Sequence, residues 1–263
     1  MARVLALSSH VARGCVGLAA TVPALQWLGH EVWALPTVVL ASRPGLGQFA
    51  KHDLPPADLE AMLAALEADG CWDSLDAVFT GYFPSPQSVA TAAQAVARIK
   101  AANAGALICV DPILGDAGKL YVAGETAEAI RDRLLPLASI ATPNLFELQW
   151  LTGTAVTERD DIARAARGLG PPLTIVTSAL PTLENITTLL AAAEGFFEVS
   201  VHARDGIPNG AGDLFAGLLL GHLLNGHSSE AALDTSLQIL DRVLAASEGQ
   251  AVLQLSALMT TTR

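Results

Sequence analysis

Cysteine is scarce in this chain: Cys15, Cys71 and Cys109 are the full complement. An odd count without metal-like spacing gives no disulfide framework and fits a reducing compartment. Basic residues are also few, 15 against 26 acidic ones, for a net charge of −11. With no Lys/Arg cluster to offset that balance, a nucleic-acid groove or an anionic membrane surface is disfavoured. No apolar run approaches the roughly 20 residues that span a bilayer. The opening apolar stretch is brief and is interrupted by Ser8, Ser9, His10 and Arg13, so it reads as a first core strand rather than a signal sequence. Aromatics make up 5% of the residues, and Trp27, Trp33, Trp72 and Trp150 share no period that would suggest an aromatic cofactor box. The six histidines are dispersed, without zinc-ligand spacing. The Gly-x-x-x-x-Gly-Lys-Ser/Thr pattern is missing, which removes a Walker-type phosphate loop.

What is present is a long apolar chain. Of 263 residues, 51% are hydrophobic, enough for one large core or two modest ones. No linker or low-complexity stretch divides it, so residues 1–263 are expected to form a single domain. Short β-rich runs alternate with longer Ala/Leu-rich ones. Strands are predicted at 3–7, 31–38, 77–80, 106–110, 140–141, 173–177, 187–192 and 196–201. Helices are predicted at 16–28, 56–68, 86–102, 124–135, 145–151, 158–168, 211–223 and 229–246. Such alternation implies parallel strands joined by covering helices, with functional loops at the strands' carboxyl ends. Only Ala193, Glu194 and Gly195 separate the last two strands, so a hairpin is expected there, giving the sheet an antiparallel edge.

The densest chemical signal is Asn209-Gly210-Ala211-Gly212-Asp213, followed by an apolar run from Leu214 to Leu220. A small-residue turn opening a buried helix leaves backbone N–H groups free to meet an anion. Asp213 would repel that anion unless it faced a proton donor, as it would where a hydroxyl loses its proton to a carboxylate. Ordinary helix capping is the structural alternative.

Three further clusters fall at predicted strand ends. Asp111 and Asp116, in Asp111-Pro112-Ile113-Leu114-Gly115-Asp116, suit a hydrated divalent ion or a nucleotide-associated cation. Lys119 either balances phosphate charge or is a solvated loop residue. Thr142, Asn144 and Glu147 read as a helix cap, while Asn144 and Glu147 also share one helical face from which they can orient metal-bound water and phosphate. Ser9 and His10 leave the first strand, and Tyr82 follows another; these residues can contact a small polar aromatic, with simple capping and core packing as the alternatives.

Taken in order, these segments resemble the pyridoxal kinases of the ribokinase-like superfamily. The resemblance rests on Leu7-Ser8-Ser9-His10-Val11 with Gly14, Gly29 with Val32-Trp33-Ala34-Leu35-Pro36-Thr37, and Thr80-Gly81-Tyr82. It continues through Asp111 to Asp116, Thr142-Pro143-Asn144-Leu145-Phe146-Glu147 and Gly210-Ala211-Gly212-Asp213, so that it covers nearly the whole chain. It implies a three-layer α/β/α fold and transfer of the ATP γ-phosphoryl group to the 5′-hydroxyl of pyridoxal, with pyridoxine and pyridoxamine as further vitamers. By the same resemblance Asp213 is the catalytic base and Gly210, Ala211 and Gly212 form the anion-hole turn. Asp111, Asp116, Asn144 and Glu147 organise Mg²⁺ and phosphate, with Asp111, Asp116 and Glu147 as metal-associated carboxylates. Ser9, Val11 and Tyr82 stand around the vitamin ring, and Thr177 and Ser178 face the nucleotide. K⁺ as a second cation, a cytoplasmic location and a homodimer complete the expectation.

The chain also departs from the pattern. Ser8 stands where many bacterial relatives carry Gln, and Arg43 where a substrate-covering His is expected. Leu46 replaces a common Tyr, and the stretch from Thr177 to Gly210 is short. Arg43 is read as closing over substrate, although its charged fork is not interchangeable with imidazole. Two other readings stand beside the first. One is a hydroxymethylpyrimidine kinase of the same fold; the other is a vitamin B6-binding or regulatory protein with weak catalysis.

Overall fold

The computed structural model describes residues 1–43, 45–46, 48–193 and 195–260. Pro44 and Gly47 of the stretch around Arg43, and Glu194 of the expected hairpin turn, lie outside them. In chain order the elements are β1 (Arg3–Arg13), α1 (Leu18–Trp27), β2 (Glu31–Ser42), β3 (Lys51–Asp53), α2 (Pro56–Ala68), β4 (Ala77–Thr80) and α3 (Pro86–Ala102). There follow β5 (Leu107–Val110), β6 (Gly115–Asp116), β7 (Lys119–Leu120), α4 (Gly124–Ala129), β8 (Ile140–Ala141), α5 (Leu145–Thr152) and α6 (Arg159–Gly168). The chain closes with β9 (Leu173–Pro181), β10 (Asn185–Ala192), β11 (Gly195–His202), α7 (Ala211–Leu224) and α8 (Ser229–Ser247).

Nine strands form one sheet in the order β11-β10-β9-β8-β5-β4-β1-β2-β3. The six strands from β9 to β2 run parallel, while β10 and β11 add an antiparallel edge on one side and β3 on the other. The two short strands β6 and β7 pair separately. Period-2 alternation sends neighbouring residues to opposite faces. Val4, Ala6, Phe79, Cys109, Ile140 and Ile175 pack with α1, α7 and α8. Leu5, Leu7, Val78, Ile108, Val110 and Ala141 pack with α2, α3 and α4 instead. With α6 and Leu148 of α5 covering Val176 and Leu189 near the β10 edge, the result is three layers, α/β/α.

Several expectations need correction at their boundaries. β1 continues through Ser8, Ser9 and His10 to Arg13, so these residues do not leave the strand after Leu7. Their polarity suggested a loop, but β2 runs beside them as far as Ser42 and supplies the missing hydrogen bonds. The helix expected at 124–135 is α-helical only to Ala129, then widens into a π turn over Ile130–Leu134 and tightens at Leu135–Leu137. Pro136 lacks the amide that an α ladder would need next. β3, β6 and β7 were not anticipated; none exceeds three residues, and tertiary pairing rather than local pattern defines them. Among the described residues, no helix is long and apolar enough to cross a membrane.

Candidate active site

The carboxyl ends of β1, β4, β5, β8 and β9 converge with the start of α7. α7 is preceded by Gly210, whose φ of 114° belongs to the left-handed region where glycine is favoured, and no side chain caps the helix. A Cβ on Gly210 would overlap the carbonyl oxygen of Cys15 and lie 3.1 Å from Leu253 Cδ1. Gly212, by contrast, is exposed, and a Cβ there would meet nothing within 4 Å. The helix start therefore has open space beside Gly212 and no side-chain cap on its leading amides, two features an anion site requires.

Asp213 sits in the first turn of α7. Its Oδ1 is buried and has no hydrogen-bond partner. Burial pushes its pKa up to about 6, while backbone N–H groups of Gly17 and of Asp213 itself pull the other way. Thr21 Oγ1 donates to the Asp213 carbonyl at 3.0 Å, tying this turn to α1. Gly17 was not anticipated as part of the site. A Cβ on it would overlap the Ser9 carbonyl and hydroxyl, so its lack of a side chain brings β1 close to the loop that touches Asp213. The signal was a second glycine three residues after Gly14, legible only once β1 was known to extend to Arg13.

Asp111, directly after β5, is buried and accepts a hydrogen bond from Thr142 Oγ1 at 3.0 Å. Burial raises its pKa well above the carboxylate range, with the charges of Glu147 and Asp213 adding to the effect and Thr142 opposing it. Glu147 is buried too. Its Oε1 accepts the amides of Leu114 (2.8 Å) and Gly115 (3.3 Å), and its Oε2 accepts that of Asn144 (2.9 Å). Burial nevertheless lifts its pKa to about 7, with the charge of Asp116 contributing.

Asn144 caps α5, accepting from the Glu147 amide at 2.9 Å while its Nδ2 donates to Gly115 O at 2.8 Å. The capping reading of this segment is borne out, and the same capping box also props the loop after β5. Thr142 is not the cap; its hydroxyl goes to Asp111. Asn144 bridges Thr177 of β9, and Ser178 follows with a φ of 49°, a left-handed conformation uncommon for serine. Asp116 stands apart on the exposed β6–β7 hairpin, accepting from the Ala117 amide at 2.7 Å.

Val11 packs with Val38 and Leu40, and half-buried Tyr82 lies against this cluster. Ser9 is buried on β1 beside Gly17. Arg43, partly buried, follows β2 directly.

Among the described residues, no three acidic, His or Cys side chains are grouped as a preformed metal site. The donor chemistry still fits a hydrated divalent cation. Asp111 and Glu147 are buried carboxylates, the charge of Glu147 disfavours that of Asp111, and their bonds run to a hydroxyl and to backbone amides. Mg²⁺ commonly keeps several waters and needs few direct protein ligands.

A mostly parallel α/β/α sheet with buried carboxylates beside an uncapped helix start defines a ribokinase-like phosphotransferase class. The family model described as phosphomethylpyrimidine kinase matches residues 13–259. Pyridoxal kinase PdxY of Corynebacterium diphtheriae is 34% identical over 237 residues, spanning 88% of this chain and 84% of the relative. The crystal structure of pyridoxal kinase from Entamoeba histolytica superposes with a TM-score of 0.92 at 27% identity, covering 99% of this chain and 95% of that one. Pyridoxal kinase from Leishmania donovani, in complex with ADP and pyridoxine, gives a TM-score of 0.89 at 28% identity, covering 97% and 92%. The chain belongs to the pyridoxal kinase family of the ribokinase-like superfamily.

Proposed function

We propose that this chain transfers the γ-phosphoryl group of ATP to the 5′-hydroxyl of pyridoxal and related vitamers, with Asp213 as general base. The observation that carries this reading is the buried, unpartnered Asp213 Oδ1 set in the first turn of an uncapped helix whose Gly212 is open. A base must accept the alcohol proton while nearby donors receive the charge of the phosphoryl group, and here both come from one turn.

The substrate alcohol hydrogen-bonds Asp213, which orients it toward the γ-phosphorus and takes its proton as the new O–P bond forms and the bond from that phosphorus to the bridging oxygen breaks, releasing ADP. With a pKa of about 6, Asp213 is mainly ionised at neutral pH and ready to accept. The amides of Gly210, Ala211 and Gly212 stabilise charge on the transferring group. Asp111, with Glu147 behind it and Asp116 on the hairpin, would hold Mg²⁺, which neutralises phosphate charge when bound. Asn144, Thr177 and Ser178 form the nucleotide-facing rim, and Ser9, Val11 and Tyr82 the ring pocket, with Arg43 at its edge. Transfer is direct, without a phosphoenzyme, in one domain comprising the whole chain. A cytoplasmic homodimer belongs to the same reading.

A substrate panel with Mg-ATP and product identification tests it. Pyridoxal, pyridoxine, pyridoxamine and hydroxymethylpyrimidine are compared side by side, with pyridoxal 5′-phosphate as the expected product. Phosphorylation of the pyrimidine alone would reassign the substrate. Vitamin binding without ATP consumption would leave a binding protein.

A further inference from the structure

We propose that Ser8 and Thr37 are positioning residues for the alcohol substrate, two buried hydroxyls that hold the Tyr82 backbone at its N–H and at its carbonyl. The Tyr82 N–H donates to Ser8 Oγ at 3.0 Å, and Thr37 Oγ1 donates to the Tyr82 carbonyl at 2.6 Å. Ser8 and Thr37 are completely buried. Tyr82 lies two residues beyond the end of β4, where ladder bonds no longer hold the backbone; the last one is Gly81 N–H to Leu7 O at 2.8 Å. The two hydroxyls take over where the ladder stops.

Two further features serve this clamp. A Cβ on Gly81 would overlap Ser8 Oγ and come within 3.2 Å of Ile113 Cδ1, so only glycine lets β1 and the loop after β4 approach this closely. Thr37 occupies a bulge. The β1–β2 register runs from Ser8 opposite Pro36 to Ser9 opposite Val38, leaving Thr37 as the extra, unpaired residue. A bulge re-aims a side chain that regular alternation would place elsewhere. Here it directs a hydroxyl to Tyr82 while the Thr37 carbonyl accepts from Leu54 N–H at 3.0 Å. The backbone so held carries the Tyr82 side chain that lies against Val11, Val38 and Leu40.

The inference rests on Tyr82 lining the alcohol pocket, as in the function proposed above. It goes further by locating control of the ring in two residues that need not touch substrate. The clamp lies on β1 and β2, away from the nucleotide-facing residues of α5 and β9. Its loss should therefore act on pyridoxal binding and leave phosphoryl transfer alone.

The test compares steady-state kinetics of Ser8→Ala, Thr37→Val, Thr37→Ser and Tyr82→Ala. Thr37→Val keeps the side-chain shape and removes the hydroxyl. It should raise the pyridoxal KM about fivefold, the size of one ordinary hydrogen bond, with kcat and the ATP KM unchanged. Ser8→Ala should do the same, and Thr37→Ser should restore most of the affinity. In a Tyr82→Ala background, Thr37→Val should add nothing. If Tyr82→Ala raises the pyridoxal KM but neither hydroxyl deletion does, the clamp is overturned and the pocket reading survives. If Tyr82→Ala leaves that KM unchanged, both fall. Hydrogen exchange on the unmutated protein gives an answer that does not depend on the variants folding: the Tyr82 amide should be protected, and exchange at the rate of an open loop would overturn the clamp.

Discussion

The two ends of α7 carry the same kind of defect in different surroundings. At its start, Asp213 buries an oxygen with no partner; near its end, His222 is 2% exposed and neither ring nitrogen has a partner. Each is a cost of desolvation without a compensating bond. Burial drives both groups toward their neutral forms, raising Asp213 to about 6 and lowering His222 to about 4. Around Asp213, however, Gly212 opens onto free space and the first-turn amides lack a cap. Around His222 the neighbours are the His227 ring, 4.9 Å away, and Gly221, whose carbonyl accepts from His30 Nε2 at 2.9 Å. An unpartnered polar group signals chemistry when a ligand can reach it, and only stored instability when it is enclosed.

The largest effect expected from breaking this contrast is at Asp213. Asp213→Asn should lower turnover by roughly a hundredfold or more, measured with pyridoxal and saturating Mg-ATP. The same variant should melt no lower than the wild type at pH 8. The folded carboxyl titrates near 6 rather than 3.8, so the wild type loses stability as pH rises through that window. The Asn variant escapes this loss, gaining up to about 3 kcal/mol well above pH 6 and little below pH 4. Near-normal turnover with retained binding would remove Asp213 from the base role.

Gly212→Ala comes next. The fold has room for the methyl and helices favour alanine over glycine, so the melting temperature should hold or rise slightly. Turnover should fall by about tenfold or more, because the methyl displaces the incoming phosphate. A variant with full activity would place the phosphate elsewhere. A smaller and graded effect is the pH profile: kcat/KM should decline on the acid side below an apparent pKa near 6, as Asp213 takes up a proton before substrate arrives.

The smallest effect sharpens the other half of the comparison. His222 titrates near 4 in the fold against 6.5 in the unfolded chain, so its neutral ring supports the fold above pH 6.5 and that support is lost as pH falls toward 4. His222→Leu should flatten the acid side of the melting profile by about 1–3 kcal/mol and leave turnover unchanged. An unaltered acid slope would show that His222 is not the group responsible.

The layers, the strand–helix alternation and the β10–β11 hairpin were legible because they rest on local periodicity in a strongly apolar chain. The Asn209–Asp213 turn was legible for a similar reason, since its small residues and its acid are contiguous. Other parts of the site were hidden. Ser8, Ser9 and His10 look like loop residues until β2 is laid beside them. Thr142 has the look of a cap, yet its hydroxyl serves Asp111, 31 positions away. Glu147 is suggested by sequence as a cap or metal partner, but only the fold shows its oxygens supporting Leu114, Gly115 and Asn144 together.

By itself, then, the sequence determined the α/β class, the position of the Asn209–Asp213 turn and the kinds of groups available, because these follow from residue order and short-range pattern. Tertiary structure decided how those groups are charged and held. Asp111 feels the charges of Glu147 and Asp213 only because the end of β5 and the starts of α5 and α7 meet at one rim, and the raised pKa values of all three come chiefly from desolvation there. The Thr37 bulge is likewise a property of two strands in register. Neither burial nor register is carried by any single segment.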